Sequence, residues 1–194
     1  MNNVTVNKSI RLSQHFTLGE MTRTGTGIPN IPSRVIIENL RNICENWLEE
    51  MRRRYNERYV FEEGGRFFEE GGRFFEEGGR RKEEGEYSKG REEAEETEEA
   101  EEPIVITSGY RSLEVNRAVG GSPTSNHLTG CAVDIRCAGV EQAIRYAAIL
   151  LDIADEWEQD FDELLTEHNR KGRYWVHFAV KPKDNRRKIL FLQK

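Results

Sequence analysis

"SGYRSLEVNRAVGGSPTSNHLTGCAVDIR", residues 108–136, places three arginines, a histidine, an aspartate and four glycines in one stretch between two apolar runs. The run PIVITSGY, residues 103–110, is β-branched and bounded by proline and glycine, so it reads as a strand. SLEVNRAV follows as a short helix and CAVDIRC as a second strand. Between these two, PTSNHLTG carries Pro, Ser, Asn and Gly. That composition marks an exposed loop and sets His127 apart from a buried core histidine. Asp134 is flanked by Val133 and Ile135, and strand alternation turns it to the opposite face, where a carboxylate needs a partner. Arg136 shares that face and offers a plain Arg–Asp pair; a metal ion is the sharper alternative.

Toward the C-terminus, VEQAIRYAAILLDIADEW (140–157) has the spacing of an amphipathic helix. FDELLTE, YWVHFAVK and KILFLQ are three short runs joined by turns, the pattern of an antiparallel meander. In the second of them His177 lies in a strand interior, among Trp175, Val176, Phe178 and Val180. It reads either as a structural histidine or as a ligand. Two histidines and an aspartate form a three-ligand set that leaves a fourth tetrahedral position for water. Toward the N-terminus, FTLGEMT (16–22) is a short helix with Thr17 as N-cap and Glu20 completing a capping box. Ser33 caps a longer helix whose Ile36, Leu40, Ile43 and Trp47 line one face, beside Ile37, Cys44, Leu48 and Met51, a stripe of core packing. Helices and antiparallel strands in segregated runs make an α+β fold, with N-terminal helices packed on a small antiparallel sheet.

Charged residues make up 33% of the chain and hydrophobic ones 36%, too polar a balance for every segment to form core. The excess has a location. From Phe61 the chain reads FEEGGRF, FEEGGRF, FEEGGRR, and an acidic tract then places Glu at eight of the eleven positions from Glu92 to Glu102. Each Gly-Gly pair costs a helix roughly 1 kcal/mol per glycine, which argues against a heptad coiled coil. Residues 59–102 therefore read as a low-complexity insertion, solvated or partly helical, between two parts of one catalytic domain, 1–58 and 103–194. Residues 61–102 carry a net charge of −10, so the remainder of the chain carries +4. Cys44, Cys131 and Cys137 are odd in number and lack CxxC spacing, and read as buried free thiols. No run approaches the roughly 20 apolar residues of a membrane span, and the first residues lack a signal-peptide pattern. The expectation is a soluble monomer, cytoplasmic as synthesised and without a nucleic-acid partner.

Residues 108–135, with Ser125, His127, Gly130, Ala132 and Asp134 in the pattern SxHxxGxAxD, and residues 161–178, FD.LL.E…WVHF, closely resemble the zinc D-alanyl-D-alanine carboxypeptidases. These belong to the peptidoglycan metallopeptidases that share a fold with the Hedgehog signalling domain. LSQHFTLGEMTRT resembles the opening of bacterial and phage members, endolysins among them. The resemblance implies a Hedgehog/DD-peptidase-like fold, zinc held by His127, Asp134 and His177, and Arg111 binding the peptide and steadying charge on the scissile carbonyl. It also implies hydrolysis of peptide bonds in peptidoglycan stem peptides by a zinc-activated water. For Arg111 a surface salt bridge is the alternative. Many relatives place an acidic residue three positions before the last histidine, where this chain has Tyr174. The carboxypeptidase-like branch instead points to Glu167 as general base, with His168 in reserve. A catalytically inactive zinc-binding domain for cell-wall or protein recognition is the alternative function.

Overall fold

The computed structural model describes residues 9–61 and 101–193. The FEEGGRF repeats after Phe61 and most of the acidic tract, and with them the low-complexity expectation, lie outside the described residues. The chain divides into two compact units, one of residues 1–55 and 103–194, the other of residues 56–102. In the second, Asn56 pins the two ends together: its Nδ2 donates to the Glu102 carbonyl at 3.1 Å and its Oδ1 accepts from the Glu102 N–H at 2.6 Å.

The first unit opens with helix α1, Leu18–Met21, held by the expected capping box: Glu20 N–H on Thr17 Oγ1 at 3.3 Å, Thr17 N–H on Glu20 Oε2 at 2.8 Å. Ser33 caps α2, Arg34–Ile43, which runs through a wide π-helical turn, Cys44–Leu48, into α3, Glu49–Tyr55. Leu40, Ile43, Cys44, Trp47, Leu48 and Met51 of the apolar stripe are buried, while Ile36 and Ile37 at its start are half-buried.

The rest of the unit is β1 (Ile106–Ser108), α4 (Leu113–Ala118), a 3₁₀ turn (Asn126–Thr129), β2 (Ala132–Cys137), α5 (Val140–Glu156), β3 (Glu163–His168), β4 (Tyr174–Ala179) and β5 (Lys188–Gln193). The strands form one sheet in the order β1-β2-β4-β3-β5. The fold is α+β, but the sheet is mixed and the last three strands are not an antiparallel meander, because β5 runs parallel to β3. The reason is an occupied edge. β4 pairs with β2 on one side and β3 on the other, so β5 cannot join β4 and takes the nearby outer edge of β3. Residues 180–187 turn the chain where β4 ends and β3 begins, and Lys188 N–H on the Asp162 carbonyl, at 3.0 Å, begins the new ladder.

Alternation separates the two faces of the sheet. Val133, Ile135, Leu164, Val176 and Phe178 are buried on one face. There the Trp47 ring meets Phe178 at 5.0 Å and Phe161 at 6.4 Å between centroids, and Tyr55 of α3 meets Tyr146 of α5 at 4.8 Å. A large side chain fully withdrawn from water contributes up to about 3 kcal/mol, so these aromatics fix the helices to this face. Asp134, His177, Glu163 and Glu167 project from the other face, which is left to chemistry.

Candidate metal centre

Ser125 caps the 3₁₀ turn, its Oγ accepting from the His127 N–H at 3.4 Å, and Gly130 ends it in the left-handed conformation at φ 69°. A Cβ on Gly130 would lie 2.8 Å from both Cγ2 and the carbonyl oxygen of Ile36, so only glycine fits. The Ser-x-His-x-x-Gly spacing is thus the cap-to-cap length of one tight turn. The loop does not leave His127 exposed, as its composition suggested. The residue is only 2% exposed, because its ring turns inward onto two oxygens.

His127 Nδ1 lies 2.6 Å from the Gly109 carbonyl oxygen. A carbonyl can only accept, so Nδ1 carries a proton, and in the neutral ring Nε2 presents a lone pair. That lone pair faces Asp134 Oδ1 at 3.2 Å. Two lone pairs so placed repel unless a proton on Nε2 or a metal cation sits between them. His177 is the cross-strand partner of Asp134, with Nδ1 2.8 Å from the same Oδ1. Its Nε2 lies 3.6 Å from Glu163 Oε2. The three residues are buried, and one ligand atom from each lies within 4.8 Å of the others, a group able to hold a metal ion. The second nitrogen of His127 is held by a carbonyl oxygen, the outer-shell arrangement that orients metal-ligating histidines, and that of His177 faces the Glu163 carboxylate. Burial would raise the Asp134 pKa, but with His127 protonated on both nitrogens its charge and hydrogen bond, with the hydrogen bond of His177, hold it well below the carboxylate range. Burial likewise works to lower His177, yet the hydrogen bond to Asp134 and the nearby Glu163 carboxylate push it up to about 9.

Asp134 does have an arginine partner, Arg111 rather than Arg136. Arg111 Nη2 donates to Asp134 Oδ2 at 2.5 Å, its Nε to Ser108 Oγ at 2.7 Å, and its backbone N–H to the His127 carbonyl at 3.0 Å. Glu167 is 1% exposed, and its Oε2 accepts from the Trp175 indole N–H at 2.5 Å. It pairs with Trp175 across the β3–β4 ladder while Leu165 pairs with His177, so Glu167 and His177 are diagonal neighbours on one face. His168 lies on the other face, stacked on Tyr174 at 5.2 Å and near Phe191 at 5.7 Å, which takes both His168 and Tyr174 away from the metal group.

The sequence reading missed Glu163, Asp162 and Asn126. Asn126 Nδ2 donates to Asp162 Oδ2 at 2.8 Å and to Glu163 Oε2 at 3.2 Å, tying the turn that carries His127 to the start of β3. Asp162, fully buried, also takes Arg186 Nε at 2.8 Å and Lys181 Nζ at 2.9 Å. Burial would raise its pKa, but these partners hold it below the usual range. Glu163 had a signal: in FDELLTE it stands four residues before Glu167, so in a strand the two share a face. Asn126 had none.

A cleft of about 670 Å³ surrounds the group, lined by Arg111, His127, Asp134, Glu163, Glu167 and His177 among others. Two imidazoles and a carboxylate that could hold a metal ion stand in an open cleft with a second carboxylate and a guanidinium beside them. Residues 92–171 match the family model for Peptidase M15, a D-Ala-D-Ala carboxypeptidase-type metallopeptidase family. The match spans Arg111, His127, Asp134 and Glu167 and ends before His177, which the sheet brings to the group. No curated protein matches the chain. The family implies a peptide substrate, and among the described residues no helix is long and apolar enough to cross a membrane.

Proposed function

We propose that the protein is a zinc-dependent peptidase that hydrolyses peptide bonds in peptidoglycan stem peptides, of D-Ala-D-Ala carboxypeptidase or endopeptidase type. The observation that carries this reading is the convergence of His127 Nε2, Asp134 Oδ1 and His177 Nδ1 in an open cleft. The chemistry supplied there by zinc, when bound, is activation of water and polarisation of the scissile carbonyl. Glu167 accepts the proton of the attacking water on its carboxylate and returns it to the leaving amine. The Trp175 indole N–H holds that carboxylate in one orientation. Arg111, anchored on Ser108 and Asp134, supplies fixed positive charge for the substrate carbonyl oxygen.

The alternative, a silent zinc-holding binder, is disfavoured by a buried carboxylate in the same cleft as the metal group. The test is incubation of purified protein with muropeptides, with and without chelator, and identification of products by mass. Peptide cleavage that stops with chelator and resumes on adding zinc supports the proposal. An unchanged mixture with the zinc-loaded protein contradicts it.

A further inference from the structure

The cleft at the metal group continues along the sheet into a second one of about 620 Å³, and the two share Asp134 and Trp175. The far part is lined by Arg136 of β2 and by Arg173, which immediately precedes β4. Both are exposed. On the near side the cations are engaged: Arg186 and Lys188 reach Asp162 or Glu163. On the far side neither Arg136 nor Arg173 has a side-chain hydrogen bond or ion pair among the described residues, and the only carboxylate in that lining, Asp134, is held by Arg111.

The register places these guanidiniums in steps from the metal group. Asp134 pairs with His177 and Arg136 with Trp175. Arg173 lies two residues before Trp175, and so at the same alternation. At about 3.4 Å per residue, Arg136 stands roughly 7 Å and Arg173 roughly 14 Å along the strands from the Asp134–His177 pair. An extended peptide has the same rise, so these distances correspond to substrate positions about two and four residues from the scissile bond, less when the side chains reach back.

We propose that Arg136 and Arg173 form a subsite for a carboxylate on the substrate peptide, flanking the scissile bond on the side of the cleft away from Arg186. Trp175 forms the apolar floor between this subsite and the metal group. The proposal rests on the peptidase reading for its peptide ligand, but its test does not depend on turnover. Zinc-loaded protein is titrated calorimetrically with a stem pentapeptide carrying free carboxylates on its D-glutamyl and diaminopimelyl residues, and with the same peptide amidated at both. The parent should bind the free-carboxylate peptide about tenfold more tightly, the scale of a charge-assisted contact at a partly exposed site. The Arg136→Gln/Arg173→Gln protein should bind the two peptides equally while unfolding at the parental temperature. Equal binding of both peptides by the parent, or a preference that survives in the double variant, overturns the subsite. Product formation in the same samples reports separately on the peptidase reading, so either can fail alone.

Discussion

At His127 one side chain combines a surface loop position with almost complete burial, because a single 3₁₀ turn capped by Ser125 and closed by Gly130 aims the imidazole at Gly109 and Asp134. The residue types at the centre were legible in the sequence, since a histidine seven residues before a strand aspartate has few uses in a polar loop. Which arginine meets Asp134 was not legible. Both Arg111 and Arg136 were available, and the close pairing of Ser108 with Asp134 brings the chain after β1 back over the carboxylate. Glu167 is the residue whose role is most exposed to test. Glu167→Gln should retain metal and fold and lower kcat by about 100-fold or more. His168→Ala should leave kcat near the parental value, since its ring stacks on Tyr174 away from the cleft. Stopped assays on metal-loaded proteins decide this, and a parental rate in Glu167→Gln removes it as the base. The cysteines take no part. All three are buried, Cys137 is pushed up to about 12 by burial, and Cys44 is raised further for the same reason.

Among the elements, β3 does most to assemble the centre. Its outward side chains contribute Glu163 and Glu167, and Asp162 just before it gathers Asn126, Lys181 and Arg186. Strand identity and the two caps, Thr17 and Ser33, could be read from composition and spacing, because a strand or cap is specified locally. The parallel pairing of β5 could not, because it follows from β4 being occupied on both edges, a property of the sheet rather than of KILFLQ. Asp162→Asn should lower stability by about 2–3 kcal/mol, since it removes a buried carboxylate with charged partners, of which Arg186 is half exposed and recovers solvation. The pH dependence has a definite sign. The Asp162 pKa is depressed in the folded state, so its stabilising contribution is full above the unfolded value of about 4 and is lost as pH falls toward the folded one. Denaturant titrations from pH 7 to pH 3 should show the parent losing stability below about pH 4, and Asp162→Asn losing less over the same interval. Parallel losses in the two proteins would assign acid sensitivity to other carboxylates.

For the molecule as a whole, the core and the centre both belong to the unit of residues 1–55 and 103–194. The ends of the other unit are closed by the Asn56–Glu102 hydrogen bonds. Replacing residues 62–100 with a short Gly-Ser linker should therefore leave cooperative unfolding and peptide hydrolysis largely unchanged, since loop closure changes by only about 0.6 kcal/mol per doubling of length. Loss of a single cooperative transition by calorimetry would show that the segment contributes to the core. Whether His127, Asp134 and His177 hold a metal is the question on which function turns. It is tested most directly by the metal content of purified, zinc-equilibrated and dialysed protein beside His127→Ala and His177→Ala. The geometry predicts close to one equivalent of zinc in the parent and a sharp fall in both variants with the fold retained. One full equivalent in both variants, or none in the parent, would contradict it.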